Sequence, residues 1–275
     1  MGKPAAKKNI ILFVSNSPSL WGVVGDFKKR YGKEYRIALI YQKKADTKEK
    51  KEFLKTYDIA IRCNFNSPTS ITKAIKPHER ELLAITAKGD ANIPYLQRII
   101  PHVPYLRTPT TESLDWSTNK LKMRRRFMAY DKSITPLYKV ANDSRKKTIK
   151  EIEEKIGFPL VIKPIGLASS LLVTIAYHHE ELEKSLRRIM RRINRIHKEN
   201  NGRAEPEVLV EQFMEGDMYS VDVHVGSRGG ILFNPFVYVK TGKIVGFDDF
   251  FAYQTITPTL LNKESVKEAQ KVSVQ

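Results

Sequence analysis

Two stretches of the sequence combine residue types suited to a phosphorylated ligand. In the first, Phe158-Pro159-Leu160-Val161-Ile162-Lys163-Pro164, a lysine ends an apolar run that reads as a buried strand. An ammonium there is costly to bury without a counter-charge, and phosphate is a natural one. The turn that follows offers hydroxyls at Ser169 and Ser170. Its small residues Gly166 and Ala168 let backbone N–H groups approach phosphate oxygens. Taken alone, the motif barely differs from an edge lysine before an ordinary hairpin loop.

The second stretch runs from Glu207 to Asp222. An apolar strand, Val208–Glu211, passes through Gln212-Phe213-Met214-Glu215-Gly216-Asp217 into an alternating strand. At such a strand-to-turn edge the backbone can present N–H and C=O groups to an adenine ring. Phe213 and Met214 can wall the ring, and an acid beyond them can reach a ribose. The two stretches together suit one nucleotide better than either does alone. Glu211 by itself would be a strand-end charge.

Positioning these residues requires a sheet, and the chain has the elements for two. Ile10–Val14, Arg36–Tyr41 and Tyr57–Arg62 are short apolar runs, with a helix near Trp21–Arg30, an alternation that implies a parallel α/β sheet. Pro77–Lys88 and Ile93–Ile100 read as two helices. Pro101–Pro109 reads as a linker, because proline blocks helix continuation and stiffens a connection. The expected domains are therefore residues 1–110 and 111–275.

In the second domain, helices are expected over Ser117–Tyr130 and Thr148–Ile156, the latter stopped by Gly157. The runs Leu160–Lys163, Val173–Ala176, Val208–Glu211, Tyr219–Val225 and Ile231–Val239 imply antiparallel pairing. Between the second and third of these lies an amphipathic helix, with Leu182, Leu186, Ile189, Ile193 and Ile196 on one side. Lys184, Arg188, Arg191, Arg195 and Lys198 form a basic stripe on the other, for which a solvated face is the simplest account. Asn262–Gln275 begins a further helix, with Asn262 as its cap.

The net charge of +18 favours polyanionic or phosphate-bearing partners. A single cysteine, Cys63, excludes both a disulfide framework and a cysteine metal cluster, and its apolar neighbours suggest a buried, inert thiol. No apolar run approaches the roughly 18 residues of a membrane span, so no membrane partner and a cytoplasmic location are expected. His178 and His179 read as solvent-facing. His78, His102, His197 and His224 form no arrangement with a nucleophile and an acid.

With both motifs in place, and with Asn119-Lys120-Leu121-Lys122-Met123-Arg124 upstream of them, the sequence resembles the ATP-grasp superfamily from about Ile93 to Asp222. The resemblance implies a Rossmann-like α/β pre-ATP-grasp domain followed by an ATP-grasp domain of α+β type with antiparallel sheets. It implies a ligase that uses ATP and Mg²⁺ to activate a carboxylate as an acylphosphate, which an amine attacks, releasing ADP and phosphate. The carboxylate and amine themselves are unidentified. Lys120, otherwise a solvated helix residue, and Lys163 are implied as phosphate contacts, and Glu211, Phe213 and Met214 as the adenine clamp. Ser169 and Ser170 belong to the phosphate loop.

Three departures from the family pattern follow. Met218 stands where many members place a ribose-binding glutamate, which leaves Asp217 or Glu215 to substitute. The phosphate loop holds a single glycine, Gly166. The metal-binding motif is not met before Gln275, so an incomplete ATP-grasp domain with poor ATP turnover is expected. Asp248 and Asp249 are adjacent, and consecutive strand residues point to opposite faces, so they are not expected to share an ion. The alternative reading is a non-catalytic nucleotide-binding remnant whose basic surface binds RNA or another polyanion, weakly because no aromatic residues interleave the basic ones.

Overall fold

The computed structural model describes residues 7–15, 20–42, 54–165, 172–199, 207–226, 228–247 and 251–274. The chain forms two compact units, residues 1–118 and 119–275.

In the first unit, β1 (Ile10–Val14), β2 (Arg36–Gln42), β3 (Ile59–Cys63) and β4 (Leu82–Thr86) make a parallel sheet in the order β3-β2-β1-β4. Helices α1 (Leu20–Tyr31), α2 (Pro68–Ile75), α3 (Ile93–Ile99) and α4 (Thr111–Thr118) accompany it. The central strands are apolar throughout because a parallel sheet is covered on both faces. Ile10, Leu12, Val14, Ala38 and Ile40 pack with Ile71 and Ile75 of α2 and Leu96 and Ile99 of α3. Ile37, Leu39 and Tyr41 turn the other way, toward Val24 and Phe27 of α1.

Two expectations fail in this unit. Pro77–Lys88 is not a helix: a short 3₁₀ turn over Lys76–His78 leads into β4, which pairs with β1. A run of five residues fits either period, and here the open edge of β1 decides it. Pro101–Pro109 is not a free linker either. Val103 is fully buried, and Tyr105 and Leu106 pack against the first core.

In the second unit, β5 (Tyr138–Ala141), β6 (Leu160–Pro164), β7 (Thr174–Ala176) and β8 (Val208–Gln212) form an antiparallel sheet in the order β5-β8-β6-β7. Its alternation separates two faces. Leu160, Ile162, Val208 and Val210 pack against Ile149 and Ile152 of α6 (Lys146–Ile156) and against Leu182, Leu186, Ile189 and Ile193 of α7 (His179–Glu199). On the opposite face Leu209, Tyr138 and Val140 meet Leu121 of α5 (Lys120–Tyr130) and Ile165. Gly157 ends α6 at φ 78°, a conformation in which an L side chain would be strained.

The expected helix over Ser117–Tyr130 is two helices, α4 and α5, parted at Asn119. Its side chain accepts from the N–H groups of Leu121 and Lys122, each at 3.0 Å, and so starts a new helix. Tyr219–Val225 likewise divides. Met218–Ser220 (β9) joins β12 (Val237–Thr241) and β13 (Ala252–Ile256), whereas β10 (Val223–Val225) pairs with β11 (Ile231–Phe233). Ile231–Val239 is split between β11 and β12 for the same reason. The last helix, α8 (Lys263–Ser273), has Asn262 as its cap, accepting from the Ser265 N–H at 2.8 Å.

Replacing Leu186, fully buried between α7 and the sheet, by alanine is expected to destabilise the second unit by about 2–5 kcal/mol. The exposed Arg188→Ala, two residues away, should change stability by less than about 0.5 kcal/mol. Denaturant unfolding of the two variants beside the parent chain measures both.

Candidate functional site

The face of the second unit's sheet that turns away from α6 and α7 carries Lys163 and Glu211. Val161 lies opposite Glu211 and Lys163 opposite Leu209, which makes Lys163 and Glu211 diagonal neighbours on one face. The Glu211 carboxylate is 4% exposed. It takes the Lys163 ammonium at Oε2. Arg124, from α5, donates Nε to Oε1 at 2.6 Å and Nη2 to Oε2 at 3.3 Å. Two cations thus share one anion.

Burial alone would push the Glu211 carboxyl up. The hydrogen bonds and charges of Arg124 and Lys163 outweigh it and hold the group below its ordinary value of 4.5. Burial has the opposite consequence for Lys163. Together with the nearby Arg124 guanidinium, it pulls the ammonium below its ordinary 10.5 although Glu211 is beside it.

Lys120 occupies the first turn of α5, four residues before Arg124, and donates Nζ to the Ile165 carbonyl at 3.4 Å. It therefore reaches the end of the strand that carries Lys163. The turn that follows, with Gly166, Ala168, Ser169 and Ser170, lies outside the described residues.

At the far end of β8 the backbone leaves the sheet after the Gln212 N–H donates to Leu137 O at 2.9 Å and the Phe213 N–H to Pro159 O at 3.1 Å. Beside this edge lies a cleft of about 480 Å³, within the size range of small-molecule sites. Phe158, Pro159, Phe213, Met214 and Glu215 are among its walls. Phe158 is 38% exposed and Met214 67% exposed, an apolar surface open to a flat ring.

The structure therefore brings Phe213 and Met214 to the cleft, and Lys120 and Lys163 to one strand end. Glu211 is placed differently from the adenine-clamp expectation: its side chain is committed to the ion cluster and does not line the cleft. Asp217 is exposed and accepts from the Tyr238 hydroxyl at 3.2 Å, away from the cleft lining, whereas Glu215 lines it. Arg124 was missed as a site residue. Its four-residue spacing from Lys120, which sets both on one side of α5, was the available signal.

Among the described residues no three His, Cys, Asp or Glu side chains converge as a metal cage, and Asp248 and Asp249 lie outside those residues. Cys63 is buried, and burial pushes its thiol up. His178 and His179 are exposed, their Nδ1 atoms within hydrogen-bonding distance of the Glu180 and Glu153 carboxylates at 2.8 and 2.7 Å. Lys184, Arg188, Arg191 and Arg195 stand exposed on α7, as the spacing predicted, while the side chain of Lys198 lies outside the described set. No described helix is long and apolar enough to cross a membrane.

Residues 156–272, which include β6, β8 and the cleft edge, match the ATP-grasp domain family. An ATP-grasp domain is recognised in that stretch of the chain. Over 173 residues, 62% of this chain, it is 26% identical to the formate-dependent phosphoribosylglycinamide formyltransferase of Ignicoccus hospitalis. Over 141 residues, 48% of the chain, it is 25% identical to the D-alanine–D-alanine ligase of Clostridium acetobutylicum. These alignments span 40% and 36% of the two relatives' own lengths.

In fold, the L-amino acid ligase of Bacillus licheniformis matches 98% of this chain at a TM-score of 0.71 and 15% identity, over 61% of its own length. The N5-carboxyaminoimidazole synthetase of Staphylococcus aureus, solved with ADP, matches 98% of the chain at a TM-score of 0.66 and 12% identity, over 63% of its length. The mixed architecture, a parallel sheet first and antiparallel sheets after it, is thus that of ATP-grasp ligases.

A pH dependence follows from the ion cluster. Because the folded state lowers the Glu211 pKa, the stabilisation is fully present above the ordinary value of 4.5 and is lost as pH falls through the lower, folded value. In melts followed from neutral pH into the acid range, Glu211→Gln should start less stable and decline less steeply than the parent.

Proposed function

We propose that the second unit binds ATP, with the adenine in the cleft beside Phe213 and Met214 and the phosphates toward Lys163 and Lys120. The observation that carries this reading is the placement of both lysines at one end of β6, on the same sheet whose β8 edge forms the cleft wall. Phe158 and Met214 offer apolar contact to a ring, and the backbone beyond Phe213 offers polar groups to its edge. The site's own charge is favourable, because Arg124 and Lys163 exceed the single Glu211 by one.

The reaction class that fits is an ADP-forming ligation of a carboxylate to an amine. The terminal phosphoryl group passes from ATP to a carboxylate oxygen, ADP leaves, and an amine attacks the acylphosphate carbon and displaces phosphate. Lys120 and Lys163 would offset charge on the phosphates during this transfer. The resemblance also implies Mg²⁺, which would supply further neutralisation. Among the described residues no three His, Cys, Asp or Glu side chains converge to hold it.

Lys163→Ala is expected to weaken ATP binding about 10- to 100-fold, the scale of about 1.5–3 kcal/mol for a charge-assisted contact. Lys120→Ala should act in the same direction. Isothermal titration with ATP measures both, and unchanged affinity in the two variants would remove the phosphate assignment.

The exposed row on α7 supports a second, separate activity of low specificity, a salt-sensitive hold on polyanions. Random RNA should bind at low salt and release steeply as salt rises, since counterion release dominates such contacts. Changing Arg188, Arg191 and Arg195 to Glu should abolish that binding in a filter assay. Tight, sequence-selective binding at physiological salt would instead favour the RNA-binding remnant over the ligase.

A further inference from the structure

A lysine already paired inside the fold is not free to meet a phosphate. Lys163 is such a lysine, since its ammonium sits on the Glu211 carboxylate and its side chain is only 16% exposed. If Lys163 turned toward a nucleotide and nothing else held Glu211, a buried carboxylate would be left without a counter-charge, one of the costlier defects a fold can carry. The carboxylate has a second holder. Arg124 grips both of its oxygens through Nε and Nη2, and a guanidinium stays charged and matches the carboxylate in plane. The lysine makes a point contact on a flexible stem, so of the two cations it is the one able to move.

We infer that Arg124 is a positioning residue that releases Lys163 for the nucleotide: it keeps Glu211 compensated while the lysine exchanges its carboxylate partner for a phosphate. This rests on the reading of Lys163 as a phosphate ligand. With Arg124 present the cluster carries one net positive charge and Lys163 has an alternative to its pairing. Without Arg124 the cluster is neutral, and Glu211 has only Lys163 to hold. Helix α5 serves both ends of the arrangement, because Lys120 at its first turn faces the end of β6 and Arg124, one turn on, faces Glu211.

The test is isothermal titration of ATP into the whole chain and three variants, each first shown to be folded by its thermal transition. Arg124→Ala should lose about 10-fold or more in affinity, the scale of a charge-assisted contact, although the Arg124 guanidinium is committed to Glu211. Adding Glu211→Gln to that variant removes the charge that traps Lys163. The double variant should therefore recover affinity to within about threefold of the parent, with the balance of cluster charge restored. Glu211→Gln alone should bind at least as tightly as the parent.

A purely structural Arg124 would give a double variant no better than the single one, and that result overturns the inference, as does an unchanged affinity in Arg124→Ala. Absence of ATP binding by the parent chain would instead overturn the nucleotide reading itself. Should Arg124→Ala fail to fold, Arg124→Gln keeps a hydrogen-bonding group at the carboxylate without the charge. The same loss and the same recovery are expected of it, with and without Glu211→Gln.

Discussion

A carboxylate buried between two cations is the constraint around which the second unit is arranged. Glu211 cannot lie beneath the surface alone, and its partners come from different elements, Lys163 from the neighbouring strand and Arg124 from α5. Satisfying it therefore fixes how α5 lies on the sheet, at which height and with which side turned inward. Leu121, on the same helix, fills the apolar space beside Leu209 and Ile165. The polar contact sets position, and the apolar contact contributes most of the adhesion.

The alternation of the strands keeps this arrangement apart from what makes the unit stable. Leu160, Ile162, Val208 and Val210 face α6 and α7 in a wholly apolar layer, while Lys163, Leu209 and Glu211 face the other way. A one-residue slip of β6 against β8 would bring Lys163 into the apolar layer, so the core enforces the register on which the site depends. Because α7 buries one stripe in that layer, its outer side is free of packing demands and can carry a dense row of basic residues.

Much of this was legible in the sequence wherever a local pattern decides the outcome. The runs that became β1, β2, β6 and β8 are apolar and bounded, and the spacing from Leu182 to Ile193 sets the buried stripe of α7. Lys163 ending an apolar run, and Phe213 with Met214 at the next strand's exit, marked by residue type the strand end and the cleft wall that the structure displays. What remained hidden depends on distant partners. Leu82–Thr86 is a strand because β1 offers it an edge. Asn119 starts a new helix because its side chain captures two N–H groups. Arg124 is one of several cations between Lys120 and Arg126, and although its four-residue spacing from Lys120 puts the two on one side of α5, its pairing depends on Glu211, 87 residues away.

The sequence distance between those partners has a kinetic meaning. Arg124 and Glu211 are 87 residues apart, and both lie on the same side of a sheet whose strands β6 and β8 flank the long α7. Closing so large a loop is entropically slow, whereas α6, α7 and the β6-β7 pair form from near neighbours. The part of the apolar layer made by β6, β7, α6 and α7 can thus assemble first, and Val208, Val210 and the ion cluster join it when β8 inserts between β5 and β6. A chain emerging from the ribosome would hold Lys120, Arg124 and Lys163 as a loose group of cations until residue 211 arrived. Arrival of that single carboxylate turns mutual repulsion into order, and the cluster is completed late in folding.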